Sequence, residues 1–454
     1  MIKRLLIANR GEIALRIIRA CRQLNIETVS VYAKGDEDSL HCRLTDQSVC
    51  IGPPGSGTYM NIDAIISACD ITGADSVHPG YGFLAENADF ARAVEDNNLT
   101  FIGPSSHIIN AMGHKINAIS MMQKHGLKTI PGSLASLPQC PLEQSKIAET
   151  IGYPVLLKAA SGGGGKGMMV VSQPDSLYSS IEKIRSESIQ SWGNDHIYME
   201  KYLRHPRHIE VQILADSHGN VLCIGDRDCS VQRRHQKIIE EAPAIDITPQ
   251  SREALYAICK RAMQKIGYVG VGTIELLYEN GNFYFMEMNT RIQVEHPVTE
   301  MCTGIDLITQ QILVHYGQKL SIQQSNISSK GHAIECRINA EDPLTMQPNP
   351  GVIKQVHFPG GYGVRVDSHI YSGYRVSHHY DSLIAKIIVH APSREKAIKA
   401  MSQALKETHI SGIKTNIACH QQILQNDDFT KGKLHTHLLN SLQQVTKSTN
   451  EQPA

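Results

Sequence analysis

The run Gly162-Gly163-Gly164-Gly165-Lys166-Gly167 stands between two short apolar stretches, Val155–Leu157 and Met168–Val171. Ordering so many glycines costs more backbone entropy than any other residue type would, so the run makes sense where side chains must be absent. Backbone N–H groups can then close on phosphate oxygens, with Ser161, Lys158 and Lys166 adding polar and charged contacts. A flexible linker is the alternative, but linkers rarely lie between two apolar strands. The loop is not a Walker A sequence, because Gly165-Lys166 is followed by Gly167 in place of Ser or Thr. The nucleotide fold is therefore of another kind.

A second constellation spans two expected strands, Gly270–Tyr278 and Phe283–Asn289, joined by Glu279-Asn280-Gly281-Asn282. A two-residue Asn-Gly turn would place Glu275 and Glu287 on opposite faces. A three-residue loop pairing Glu279 with Phe283 places both on one face, and this register is the one expected. Two neighbouring carboxylates repel unless a cation lies between them, and Mg²⁺ takes one or two carboxylates with phosphate oxygens and water. Glu287, Asn289, Arg291, Gln293 and Glu295 then alternate with Met288, Thr290, Ile292 and Val294, so in an extended chain all five line one face. Metal ligands, an arginine fork, an amide and a carboxylate on one face can hold Mg²⁺ and a small planar anion. The stretch Cys229-Ser230-Val231-Gln232-Arg233-Arg234-His235-Gln236-Lys237 is read as an anion site, although charge runs are usually solvated faces.

These segments sit in a chain of 454 residues, long enough for two to four packed units. Expected strands at Arg4–Ala8, Glu27–Ala33, Ser48–Ile51, Asp75–His78 and Thr100–Ile102 alternate with helices, a parallel α/β pattern of Rossmann-like type over residues 1–112. Asn9-Arg10-Gly11-Glu12 after the first strand is not GxGxxG, which argues against a dinucleotide site. Residues 113–330 hold nearly all the phosphate and metal chemistry, with a lid-like insertion expected from about 131 to 203, after the Pro131-Gly132 turn. A third, α+β region covers 331–440, and a polar tail 441–454. The formal net charge of zero points to neither nucleic acid nor membrane as partner. The opening residues lack the apolar length of a signal peptide, and eleven scattered cysteines without a CxxC pair read as reduced thiols of a cytoplasmic protein.

Lys158 through Gly167, Cys229 through Pro243 and Glu287 through Glu300 closely resemble the biotin carboxylase family of ATP-grasp enzymes. So do His78-Pro79-Gly80-Tyr81-Gly82-Phe83-Leu84-Ala85-Glu86-Asn87 and Glu335-Cys336-Arg337-Ile338-Asn339-Ala340-Glu341-Asp342-Pro343. The resemblance runs from Ile7 to about His437. It implies an α/β chain with a Rossmann-like N-terminal domain, a central ATP-grasp domain with a mobile lid, and an α+β C-terminal biotin carboxylase domain. It further implies that Lys115, Lys158, Gly164, Gly165 and His208 contact ATP phosphates, that Glu200, Lys201, Tyr202 and Leu203 frame the adenine, and that Gln232 and His235 lie on the nucleotide. Glu275, Glu287 and Asn289 would hold two Mg²⁺ or Mn²⁺ ions, while Lys237, Arg291, Gln293 and Val294 would hold bicarbonate. Glu295 would be the base and Arg337 the cation facing biotin. Met169 departs from the family's usual arginine and Ala85 from its common serine.

The same resemblance implies ATP-dependent conversion of bicarbonate to carboxyphosphate and transfer of its carbon to biotin. No Met-Lys-Met attachment sequence is present, the nearest string being Met286-Glu287-Met288, so biotin is expected on a separate biotin carboxyl carrier protein. Carboxyltransferase subunits are the other expected partners, with acetyl-CoA carboxylase and fatty acid synthesis as the default setting and a homodimer using Arg19 and Arg365. Another ATP-grasp ligase making an acyl or carbamoyl phosphate, and a nucleotide-binding regulator without turnover, are the competing readings. Bicarbonate-dependent ATP cleavage with free biotin separates all three.

Overall fold

The computed structural model describes residues 2–133, 136–159, 167–233 and 236–439. Gly164, Gly165 and His235 lie outside the described residues, as do Ser161, Lys166, Arg234 and the tail. The first hundred residues form a five-stranded parallel sheet in the order Gln47–Gly52, Glu27–Ala33, Arg4–Ile7, Ser76–His78 and Thr100–Phe101. Its middle strand, Arg4–Ile7, is apolar on both faces, with Leu5 and Ile7 in the core under the helix Gly11–Gln23 and Leu6 in the core that the helix Ile62–Thr72 covers on the other side.

Two helices, Ser106–Gly113 and Lys115–Lys124, lead into a small antiparallel sheet of Met168–Val171, Val155–Ala159 and Ile197–Lys201. The helices Pro141–Ile151 and Leu177–Trp192 close its core around Leu157, Ile181, Ile184 and Met199. Gly132 enters this unit where a Cβ would stand 2.7 Å from the Met199 carbonyl, so glycine alone permits the chain to pass. Met169 pairs with Leu157 and packs against that core, while Ala85 is buried.

The largest sheet has eight antiparallel strands: Asn282–Asn289, Gly270–Glu279, Arg207–Ala215, Val221–Arg233, Gln236–Ala242, His332–Asn339, Leu383–Ala391 and Val364–Ser368. It runs without a break from the region expected to carry the phosphate chemistry into the third region, through the pairing of Ile239 to Ala242 with Ala333 to Cys336. The Arg337 strand is therefore central, not a solvated edge.

Charged latches tie the three regions together. Lys386, fully buried, lies 3.0 Å from Glu12 and 3.8 Å from Asp367 and donates to the Val294 carbonyl at 2.8 Å. Tyr81 donates to the same Glu12 carboxylate. Arg16 pairs with Glu300 at 3.0 Å and Asp306 at 2.5 Å, and Arg365 with Glu300 at 2.7 Å and Asp367 at 2.8 Å. No helix among the described residues is long and apolar enough to cross a membrane, and the eleven cysteines are free. Because removing one partner of a buried ion pair strands the other charge, Lys386→Met is expected to lower unfolding free energy by about 3 to 5 kcal/mol. Urea titration measures this, and an unchanged midpoint contradicts it.

Candidate active site

Four adjacent strands of the large sheet bring one row of charged side chains together: Glu287 stands opposite Glu275, Glu275 opposite Glu210, and Glu210 opposite Arg227. The hairpin reaches this arrangement by a route other than the expected one. Glu279 pairs with Asn282, so the turn is the two-residue Asn280-Gly281, with both residues at positive φ (49° and 78°), as a primed turn requires. A bulge between the Glu275 and Leu276 pairs inserts Met286 as an extra residue and restores Glu287 to the face of Glu275. The expected three-residue loop is thus incorrect, while the shared face stands.

Lys237 reaches into the row from the neighbouring hairpin, bonding Glu210, Glu275 at 2.8 Å and Glu295 at 2.7 Å. His208 lies 3.2 Å from both Glu210 and Glu275; burial opposes its charge, yet Glu275 and Glu210 hold the imidazole up at about 9. Burial works against the Glu275 carboxylate too, but Lys237 and His208 keep it well below the usual range. Glu287 opens onto the cavity, and desolvation by the walls, followed by the charge on Glu275, raises its carboxyl. Arg227 is fully buried, bonding Glu210 at 2.9 Å, Gln212 at 2.7 Å, Thr299 at 3.0 Å, Thr273 at 3.2 Å and Gln293 at 2.6 Å.

The strand carrying Glu287 ends at Asn289, and residues 290–295 bend away before the helix His296–Thr303 begins. Arg291, Gln293 and Glu295 are therefore placed by a loop, not by one extended face as expected. Contacts hold that loop in shape. Arg291 donates to Glu86 at 2.9 Å and Asn289 at 3.1 Å, and Gln293 to Glu275 at 2.7 Å. Arg337 donates to Glu295 at 2.9 Å, and Lys237 and Arg337 outweigh burial to keep the Glu295 carboxyl below its usual range.

One cavity of about 820 Å3 is lined by Lys115, Lys158, Glu200, Lys201, Tyr202, Leu203, His208, Gln232, Lys237, Glu275, Glu287, Asn289, Arg291, Gln293, Val294, Glu295 and Arg337. An adjoining, mostly apolar cavity of about 480 Å3 shares Lys115, Ile130, Lys158, Tyr198, Glu200 and Met286 with it and adds Ile119, Thr129, Ile197 and Phe285. Lys158 pairs with Glu200, and Lys201 donates to the carbonyls of Gly152 at 2.7 Å and Tyr153 at 3.1 Å. The carboxylates of Glu275 and Glu287 and the amide of Asn289 offer the hard oxygen donors that Mg²⁺ or Mn²⁺ takes, so these residues fit such an ion.

Glu210, Arg227, Glu240 and Glu86 escaped the sequence reading. The signal for Glu210 is its place between His208 and Gln212 in alternation with Ile209, Val211 and Ile213, in a strand buried throughout, and Arg227 stands opposite it. Glu240 bonds Arg337 at 2.5 Å from the segment Ile238-Ile239-Glu240-Glu241, where its acidity beside the cation run was visible without its role.

Residues 1–109 match the family described as biotin carboxylase, N-terminal domain, and residues 335–441 the biotin carboxylase C-terminal domain. Residues 114–323 match the ATP binding domain of the carbamoyl-phosphate synthase L chain. The chain is 53% identical to the biotin carboxylase of Haemophilus influenzae over 97% of its own length and 98% of that protein. It is 48% identical to a pyruvate carboxylase subunit of Methanothermobacter thermautotrophicus, over 97% of this chain and 90% of the relative. Among solved structures, it is similar to a Campylobacter jejuni biotin carboxylase complex with a β,γ-ATP ligand, at TM-score 0.91 and 47% identity, covering 97% and 99% of the two chains. It is also similar to the biotin carboxylase domain dimer of Hydrogenobacter thermophilus 2-oxoglutarate carboxylase in complex with MgADP, ADP and bicarbonate, at TM-score 0.90 and 44% identity, covering 97% and 98%.

Arg227→Met is expected to cost about 3 to 5 kcal/mol in unfolding free energy, because Glu210 loses one of the cations that offset its burial. Arg227→Lys keeps the charge without the five-donor fork and is expected to cost less. Urea melts of the two variants, compared with wild type, check the order.

Proposed function

The chain belongs to the biotin carboxylase family, ATP-dependent carboxylases of the ATP-grasp ligase kind, and on that premise we propose the following assignment of its residues and setting. The observation that carries it is the joining of the carboxylate row to the Glu295–Arg337 contact on one cavity wall. A site that only cleaved ATP would have no use for an arginine delivered by the third region.

In this reading Lys115, Lys158 and His208, with the glycine loop at Gly164 and Gly165, hold the ATP phosphates. Glu200, Lys201, Tyr202 and Leu203 frame the adenine beside the apolar cavity, and Gln232 and His235 complete the nucleotide site. Glu275, Glu287 and Asn289 hold two Mg²⁺ or Mn²⁺ ions, which supply charge neutralisation to the transferring phosphoryl group. Lys237, Arg291, Gln293 and the Val294 backbone hold bicarbonate. Gln293 is suited to this because Arg227 takes its amide oxygen, leaving the NH2 group to donate. Val294 is suited because Lys386 grips its carbonyl and fixes the backbone there.

Bicarbonate is a poor electrophile, so its oxygen first attacks the γ-phosphorus of ATP while Glu295 takes its proton, giving carboxyphosphate and ADP. Glu295 is ionised and paired, with Lys237 and Arg337 orienting its oxygens. Carboxyphosphate then yields CO₂ and phosphate, the phosphate removes the N1′ proton of biotin, and Arg337 stabilises the ureido oxyanion that attacks CO₂. Closing of a lid spanning about 131 to 203 would exclude water from the intermediate.

Domain limits near 112, 330 and 440 accompany this assignment. We place the chain as the first half-reaction of acetyl-CoA carboxylase, in fatty acid synthesis in the cytoplasm, acting on a biotin carboxyl carrier protein and serving carboxyltransferase subunits. Its likeness to a relative named simply biotin carboxylase is in keeping with this setting. A homodimer with Arg19 and Arg365 at its interface is in keeping with the dimer described for the Hydrogenobacter domain.

Glu275→Gln and Glu287→Gln are each expected to lower bicarbonate-dependent ATP cleavage and raise the half-saturating Mg²⁺ concentration by about tenfold or more, the cost of even an outer partner of a metal site. Unchanged Mg²⁺ dependence in both contradicts the metal assignment. Arg337→Ala is expected to depress carboxylation of free biotin by about 2 to 4 kcal/mol of activation free energy and ATP cleavage far less. Partial recovery in Arg337→Lys would show that charge dominates over the planar fork. Carboxybiotin and phosphate measured side by side decide the matter: a proportional fall in both removes the biotin role.

A further inference from the structure

Behind Arg337 lie two carboxyl groups to which the proposed mechanism gives no part. Glu240 and Glu335 are both fully buried and stand directly opposite each other on the antiparallel strands Gln236–Ala242 and His332–Asn339. Directly opposed residues share a face, with their Cβ atoms about 4.5 to 5.5 Å apart. One Glu240 oxygen accepts from Nε of Arg337 at 2.5 Å; its other oxygen and both oxygens of Glu335 have no partner among the described residues. Buried polar atoms are seldom left so, and two opposed carboxylates in a dry site cannot both stay ionised. The Arg337 side chain is thus gripped at Nε by Glu240 and at Nη2 by Glu295, which leaves Nη1 without a protein partner among the described residues, on the cavity wall.

We propose that Glu240 positions Arg337 for the biotin oxyanion, and that Glu335 serves Glu240 as a neutral acid, donating its carboxyl proton to the Glu240 oxygen that no other group takes. This rests on the assignment of Arg337 to biotin. Two anions then hold the guanidinium from behind and beside, so its remaining donors point where negative charge develops. Burial first, and then Glu240, drives the Glu335 carboxyl well above the usual range, against the pull of Lys386 and Arg337. Burial also lifts Glu240, which Arg337 pulls back, to about 7. The charged and titratable groups facing the pair are Arg337, Glu295, Lys237 and Lys386, with Tyr81 and the thiols of Cys229 and Cys336, all three pushed up and neutral. The sign follows. Glu240 grips Arg337 as an anion above about pH 7, and the grip weakens as pH falls through that value.

The test is the ratio of free-biotin carboxylation to bicarbonate-dependent ATP cleavage, followed between about pH 6 and 9 in the full-length chain. In wild type the ratio is expected to fall on the acid side of about pH 7. Glu240→Gln is expected to lower it by about tenfold and to flatten its pH dependence, with Glu240→Asp recovering part of the loss. Glu335→Gln, which supplies a permanent donor in the proton's place, is expected to hold the ratio within about twofold, whereas Glu335→Leu lowers it. ATP cleavage reports folding, and the near-isosteric Glu240→Gln and Glu335→Gln carry the test should Glu335→Leu not fold. A wild-type ratio in Glu240→Gln, where Arg337→Ala has lost it, overturns the positioning role alone. A loss in Glu335→Gln as large as that in Glu240→Gln shows Glu335 working as an anion and overturns the neutral-acid role. If Arg337→Ala keeps the ratio, the biotin assignment itself falls, and this proposal with it.

Discussion

Three glutamates in one cross-strand row, Glu287, Glu275 and Glu210, set the terms on which the rest of the molecule is built. Carboxylates so close inside a sheet stay ionised only if cations are held rigidly against them, since each unpaired charge in a low-dielectric interior is costly. Arg227 closes the row from the next strand, Lys237 reaches in across a hairpin, and His208 becomes a cation because two of these carboxylates face it. The compensating groups come from three strands, so the charge balance is also a constraint on the register of the sheet. A slip of one residue on any strand would turn its member of the row to the far side. The Met286 bulge is the clearest sign of this, being an irregularity whose effect is to return Glu287 to the row.

Outside the sheet, the same charges reach into the first region. Arg291 is held by Glu86, from the segment after the fourth parallel strand, and the Val294 carbonyl by Lys386, which Glu12 keeps charged. The loop 290–295 is thus a meeting point for three separate parts of the chain. None of them could hold Arg291, Gln293 and Glu295 in place alone. That dependence makes the latches of Lys386, Arg16 and Arg365 part of the chemistry as well as of the fold.

How much of this could be read from the residues depended on whether alternation survived. The parallel α/β start was legible because its strands are short, apolar and punctuated by helices of clear periodicity. The polar residues from Glu287 to Glu295 were legible as one site, although their geometry was not: alternation implies a strand, whereas bonds to Glu86, Glu275 and Arg337 fold a loop to the same effect. The hairpin closure was misjudged because a bulge leaves no mark on the residue pattern. Glu210 and Arg227 were missed for a different reason. The signal was there, in His208, Glu210 and Gln212 alternating with Ile209, Val211 and Ile213, but a strand buried along its whole length turns that polar side to the protein interior and not to solvent.

The eight-stranded sheet that carries Glu275 at one side and Arg337 toward the other has a bearing on how such a chain could be rearranged in evolution or in the laboratory. A fragment ended near residue 330 would leave the Gln236–Ala242 strand as a bare edge, its N–H and C=O groups from Ile239 to Ala242 open to any other strand. The complementary piece would begin with an equally bare strand, His332–Asn339, whose inward residues Ile334, Cys336 and Ile338 are core. The two sequence regions are therefore one inheritable block. A graft that keeps the sheet whole has to cut elsewhere, beyond the last of its strands.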